Sequence, residues 1–184
     1  MESADVRDRD NAVIGWRYWQ VASGTGHLRS VTQKRVEWPP GHVLVARCSG
    51  AGHRAPERSC ECGIYGARDL STLREHGLCL APEVLIVGEV ALWGTVIDDP
   101  GPDRPSERGI CGWRGEFAVP AALQVVDDLV PGLDTGDLAR SLERSYRIPV
   151  ATMALTDAVA GASATILTFQ AMAARASRSS ARDD

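Results

Sequence analysis

Three of the chain's five cysteines and one of its four histidines fall between residues 48 and 65, in the stretch CSGAGHRAPERSCECGIY. The spacing is Cys48-x4-His53-x6-Cys60-x-Cys62. Thiolate and imidazole are donors that zinc prefers, and a Cys3His tetrahedron is an established structural set. In extended chain, side chains two residues apart point the same way, so Cys60 and Cys62 can reach one ion together. Gly63 permits a sharp turn directly after them. Gly50 and Gly52 give the preceding loop similar freedom, and Pro56 stiffens its return. Cys48, His53, Cys60 and Cys62 are therefore the candidate metal ligands, with Zn2+ as the predicted cofactor.

The charge balance suits a structural ion. Three thiolates and a neutral imidazole around Zn2+ leave a net charge of about −1, and Arg47, Arg54, Arg58 and Arg68 flank the segment to offset it. The same arginines would make metal-free thiols more acidic and easier to oxidise. Four protein ligands leave no open position for a water, which disfavours metal-assisted hydrolysis. Two other chemistries fit the spacing: an iron–sulfur centre, or thiols beside a surface histidine with no metal. Cys79 could replace His53 in the set. Otherwise Cys79 and Cys111 read as small buried hydrophobes.

The remaining candidates are weaker. Asp98, Asp99, Asp103 and Glu107 fall in one loop with Pro100, Pro102 and Pro105, the composition of a solvated hairpin tip. Arg114 and Glu116 alternate on an expected strand and would share one face, either a binding surface or the wet side of a sheet. His27, His42 and His76 have no partner that spacing identifies. No phosphate-binding glycine loop, nucleophile elbow or HExxH occurs.

The elements that must position the cysteines are legible in outline. Residues 16–22 and 28–31 flank a Gly-x-Gly turn and predict a hairpin. Residues 42–48 read as a strand that delivers Cys48 at its end. Asp69 is suited to cap a short helix that Gly77 would close. Residues 83–99 form the strongest strand signal, expected over 84–97 at the centre of the sheet and paired on both edges. Gly88 and Gly94 there suggest bulges or close backbone approaches. Residues 111–119 predict a return strand that continues past Pro120. Leu138, Leu142 and Tyr146 form one stripe of a helix capped by Asp134 or Thr135.

Hydrophobic residues make up 44% of the 184-residue chain, enough for one domain with a real core. The net charge of −4 supplies no global basic footprint for nucleic acid. The opening MESADVRDRDNAV lacks the apolar region of a secretory signal. A cytoplasmic, reducing location follows, where cysteines read as ligands or thiols before disulfides. Residues 158–174 carry no charge, yet they sit at the lower limit for a span. Their basic flank (Arg175, Arg178, Arg182) follows rather than precedes them. A soluble or partner-binding helix is expected, with a membrane segment as the alternative.

The block HRAPERSCECGIYGAR followed by GEVALWGTVIDD resembles a family of small, uncharacterised actinobacterial proteins. They share an H-x-A-P-x3-C-x-C-G-I-Y block and a V-A-L-W-G-x-V strand. The similarity spans about residues 14–150. This chain departs from it at Gly66, in the enlarged loop at 98–109 and in its C-terminal extension. The resemblance implies that residues 48–65 matter; it implies no reaction.

The expectation is an α+β fold: a compact β-rich domain with a Cys/His zinc-type loop, two short helices and a C-terminal helix. Residues 1–11 are expected to be disordered, 12–150 to form the metal-loop domain, and 151–184 to form the C-terminal helix and a flexible tail. The expected function is a non-enzymatic binding or adaptor module with a protein partner, stabilised by structural zinc. A thiol-based or iron–sulfur redox sensor is the alternative, and a hydrolytic enzyme the third reading.

Overall fold

The structure is a computed structural model that describes residues 9–33, 35–50, 52–75, 85–100, 111–127, 129–130 and 132–159. The sequence-based readings for residues 1–8, His76, Gly77, Cys79, Asp103, Glu107 and 160–184 lie outside the described residues. The fold is α+β: one β-rich sheet with a few short helices and a Cys/His cluster.

Strands β1 (Val13–Val21) and β2 (Leu28–Ser30) form the expected hairpin, and β3 (Glu37–Trp38) adds to β2. Strand β4 (Leu44–Val45) precedes the cysteine loop, and β5 (Ile64–Ala67) follows it. Helix α1 (Leu70–Glu75) comes next, capped as expected by Asp69, whose Oδ1 accepts from the Thr72 backbone N at 2.8 Å. Two long strands, β6 (Leu85–Asp99) and β7 (Gly112–Val126), then carry the sheet.

β6 is the central strand that its β-branched run predicts. Residues 85–92 pair with β1 on one edge, and residues from 86 to 99 pair with β7 on the other. β7 meets β5 through Gly112 to Gly115, and β5 meets β1 through Ala67 and Trp16. β1, β6, β7 and β5 thus form a closed ring of hydrogen-bonded neighbours. Closing so small a ring demands close backbone approach. A Cβ on Gly66 would lie 3.0 Å from Val90 Cγ1 and 3.2 Å from the Gly15 Cα. Where β1 and β5 diverge, Arg17 fills the gap, donating to the Tyr65 carbonyl at 2.6 Å and to Ser30 Oγ at 2.9 Å.

Side chains alternate across the sheet as period-two strands require. Ile86, Val90 and Leu92 point to the main core with Trp19, Leu28, Trp38, Leu123 and Val125. Leu85 and Val87 point to a second cluster with Tyr18, Leu73 and Leu129. Helix α2 (Thr135–Tyr146) covers the main core with Ala139, Leu142 and Tyr146. Asp134 caps it, accepting from Asp137 N at 2.7 Å. The Tyr146 hydroxyl accepts from Leu28 N at 2.7 Å and donates to the Trp38 carbonyl at 2.6 Å, which ties the helix to the β2–β3 hairpin.

Three local outcomes refine the sequence reading. The strand expected over 42–48 shrinks to two residues, Leu44 and Val45, which pair with Ala118 and Phe117; on the Cys48 side, β5 already holds β7 from Gly112 to Gly115. β7 runs through Pro120 as expected. The register there steps from Glu89↔Ala122 to Val90↔Pro120, a bulge that tolerates a residue without an N–H. Strand β8 (Val150–Met153), not anticipated from sequence, adds parallel to the far end of β7 and leads into α3 (Leu155–Ala158). At the other terminus, Arg9–Asn11 form a 3-10 turn that sets Arg9 over the Trp93 ring.

Candidate metal centre

The closed ring delivers both arms of the cysteine loop to one place. β4 leaves β7 after Ala46, whose N donates to the Glu116 carbonyl at 2.7 Å, and Cys48 follows two residues on. The chain returns through a turn in which Cys60 N donates to the Glu57 carbonyl at 3.1 Å, then enters β5. Ala55 and Pro56 are buried in the middle of an otherwise polar loop.

Cys48, His53, Cys60 and Cys62 converge. One ligand atom from each lies within 4.8 Å of the other three. Cys48 Sγ and Cys60 Sγ are 3.8 Å apart, and His53 Nε2 is 3.2 Å from Cys62 Sγ. A tetrahedral site with Zn–S of ~2.3 Å has S···S edges of roughly 3.8 Å. The four side chains lie close enough to hold a metal ion, and all four are half-buried. The thiols of Cys48, Cys60 and Cys62 also border a cavity of about 770 Å3 with Val36, Leu44 and Ile64 on its other walls.

Burial pushes the Cys62 thiol above its ordinary value; the Glu57 backbone pulls it back, and the nearby Cys60 and Cys48 thiols raise it further. A metal ion reverses that preference, because it binds the thiolate.

The loop rests on two buried charges of β7. Arg114 and Glu116 share a face, as their alternation predicts, but that face is neither a wet surface nor an open binding surface. They are 6% and 4% exposed. Arg114 Nη1 donates to the carbonyl oxygens of Glu57 (3.2 Å), Cys60 and Cys62 (3.1 Å), while Nε pairs with Asp99 Oδ2 at 2.8 Å. Glu116 takes Arg54 Nε on one oxygen and the Thr95 backbone N on the other, at 3.2 Å. Each half of the loop therefore has its own buried anchor. Gly63 belongs to this contact: its φ is +129°, and a Cβ there would press on the Arg114 Cβ at 3.0 Å.

No family model, curated protein or solved structure matches the chain.

The other candidates are placed elsewhere. Arg68, expected to neutralise the cluster, instead pairs with Asp98 at 2.6 Å and stacks on Trp113. Asp98, which is exposed, and Asp99 are ion-pair partners of Arg68 and Arg114. Cys111 stands outside the cluster, and its carbonyl accepts from Arg68 N at 3.1 Å. His27 pairs with Glu37 at 3.1 Å, and His42 faces the Pro40 carbonyl at 2.9 Å. Among the described residues, no helix is long and apolar enough to cross a membrane.

Nothing in the sequence spacing ties Arg114 and Glu116 to the cysteines. The available signal was their charge inside an otherwise apolar strand, since charged residues are almost never fully buried without a partner.

Proposed function

We propose that the protein is a non-enzymatic binding or adaptor module whose loop from Cys48 to Cys62 is held by one structural zinc ion. The observation that carries this reading is the convergence of three thiols and one imidazole within 4.8 Å. That donor set is the soft and borderline mixture that zinc takes in closed sites. With all four positions supplied by the protein, the ion has no vacancy for a substrate or an activated water, so its role is mechanical. Two carboxylates of the sheet are likewise engaged in structural contacts: Asp99 pairs with Arg114 and Glu116 with Arg54. The partner is a protein, and the compartment a reducing one that preserves thiolate ligands.

Metal analysis of the purified chain tests the proposal. One zinc per chain, lost in Cys60→Ser, is the expected result. Iron with acid-labile sulfide would move the protein to the redox-sensor class. A chain that takes up no metal would remove the structural-ion reading.

A further inference from the structure

We propose that Arg114 is the positioning residue of the metal centre: it fixes the Cys60–Cys62 turn so that both thiolates face the ion, and so sets how tightly the ion is held. This rests on the zinc reading above and adds to it a residue that ligates nothing.

Arg114 is 6% exposed and reaches the loop through main-chain oxygens. Two of its three carbonyl partners belong to ligand residues, Cys60 and Cys62, and the third, Glu57, accepts the Cys60 N–H that closes the turn. One guanidinium nitrogen thus specifies the backbone orientation of two adjacent ligands. The Asp99 carboxylate lies 2.8 Å from Nε and balances the buried charge as an ion pair. Only a planar head can serve a carboxylate on Nε and carbonyls on Nη1 at once; the single ammonium of lysine is a point charge. The loop offers little apolar surface of its own, so this contact replaces packing as the source of preorganisation. Outer residues that orient metal ligands typically change affinity by about 10–100-fold when removed.

The test uses the full chain with Arg114→Gln and Arg114→Lys. Zinc affinity is measured by chelator competition, the ligand field by the visible spectrum of the cobalt(II) form, and melting temperature with and without zinc. Backbone hydrogen exchange in β6 verifies the fold of each variant. Arg114→Gln is expected to bind zinc about 10–100-fold more weakly. Its cobalt spectrum should shift, and its melting temperature should fall further in the zinc form than in the chelated form. Arg114→Lys keeps the buried charge, so it should fold even where Arg114→Gln does not, with an affinity between wild type and Arg114→Gln. Wild-type affinity in Arg114→Lys, or in a folded Arg114→Gln, overturns the assignment. So does an equal loss of melting temperature with and without zinc, the mark of a merely structural contact. A wild-type chain that takes up no zinc brings down the zinc reading and this one together.

Discussion

The strand ring and the cysteine loop are built on opposite principles. The ring of β1, β6, β7 and β5 is shaped by apolar burial: Trp19, Ile86, Val90, Leu92 and Val125 are all fully buried, and every long strand has a ladder partner. The loop from Cys48 to Cys62 has, among its described residues, only Ala55 and Pro56 buried. Its shape comes from directional contacts, namely Arg114 to three carbonyls, Glu116 to Arg54, and four donors around one point. The difference teaches where each region's stability is stored. Burial is non-directional and survives changes of pH or metal. A loop held by ligands and charges depends on the ionisation state of a few groups and on the presence of one ion.

The largest expected effect lies in the ring. Leu92→Ala removes a fully buried side chain beneath Gly66 and Gly115. It should cost about 2–5 kcal/mol of global stability, as buried leucine truncations do, measured by urea unfolding of the zinc form. A loss confined to the loop would erase the distinction between the regions. Next comes Cys60→Ser. It should release the ion and open the loop to protease while shifting the global midpoint less than Leu92→Ala does; an equal or larger shift would mean the ring depends on the metal.

The pH response should separate the regions by sign. Metal ligation needs thiolates, so the zinc form should lose its ion as pH falls and protons compete for sulfur. In the chelated form the Cys62 thiol is raised above its ordinary value of 9.0, so the fold favours the protonated group. That contribution is complete below 9.0 and disappears as pH climbs through the higher folded value. The loop should therefore loosen in acid with zinc and in alkali without it, as read by proteolysis. The same sign with and without metal would break the assignment of these thiols. The smallest effect belongs to the α2 cap: Asp134→Ala should cost about 1 kcal/mol, with zinc affinity unchanged, because the cap serves only the apolar body.

The sequence reveals most where structure is decided locally. Asp69 and Asp134 announce helix starts because a cap acts within three residues. β6 announces itself by its β-branched run, and Gly88 by a close approach in which a Cβ would lie 2.2 Å from the Ala122 carbonyl. The cysteine spacing works for the same reason, since Cys60 and Cys62 need only an extended dipeptide to face one ion. What stays hidden depends on register between distant strands. On its Cys48 side, β4 meets the part of the β7 edge that β5, a later segment of the chain, already holds. β8 forms because the far end of β7 has an open edge. Arg114 and Glu116 look amphipathic in sequence, and only the return of the loop over β7 turns them into buried anchors.

The central claim is that metal shapes the loop and burial shapes the ring. Backbone hydrogen exchange on the full chain, zinc-loaded and then chelated, tests it in one measurement. The account predicts that chelation strips protection from residues 52–63, including the Cys60 amide bonded to Glu57, while residues 85–92 keep theirs. Unchanged protection in the loop after the metal is gone, or its loss from both regions together, would contradict it.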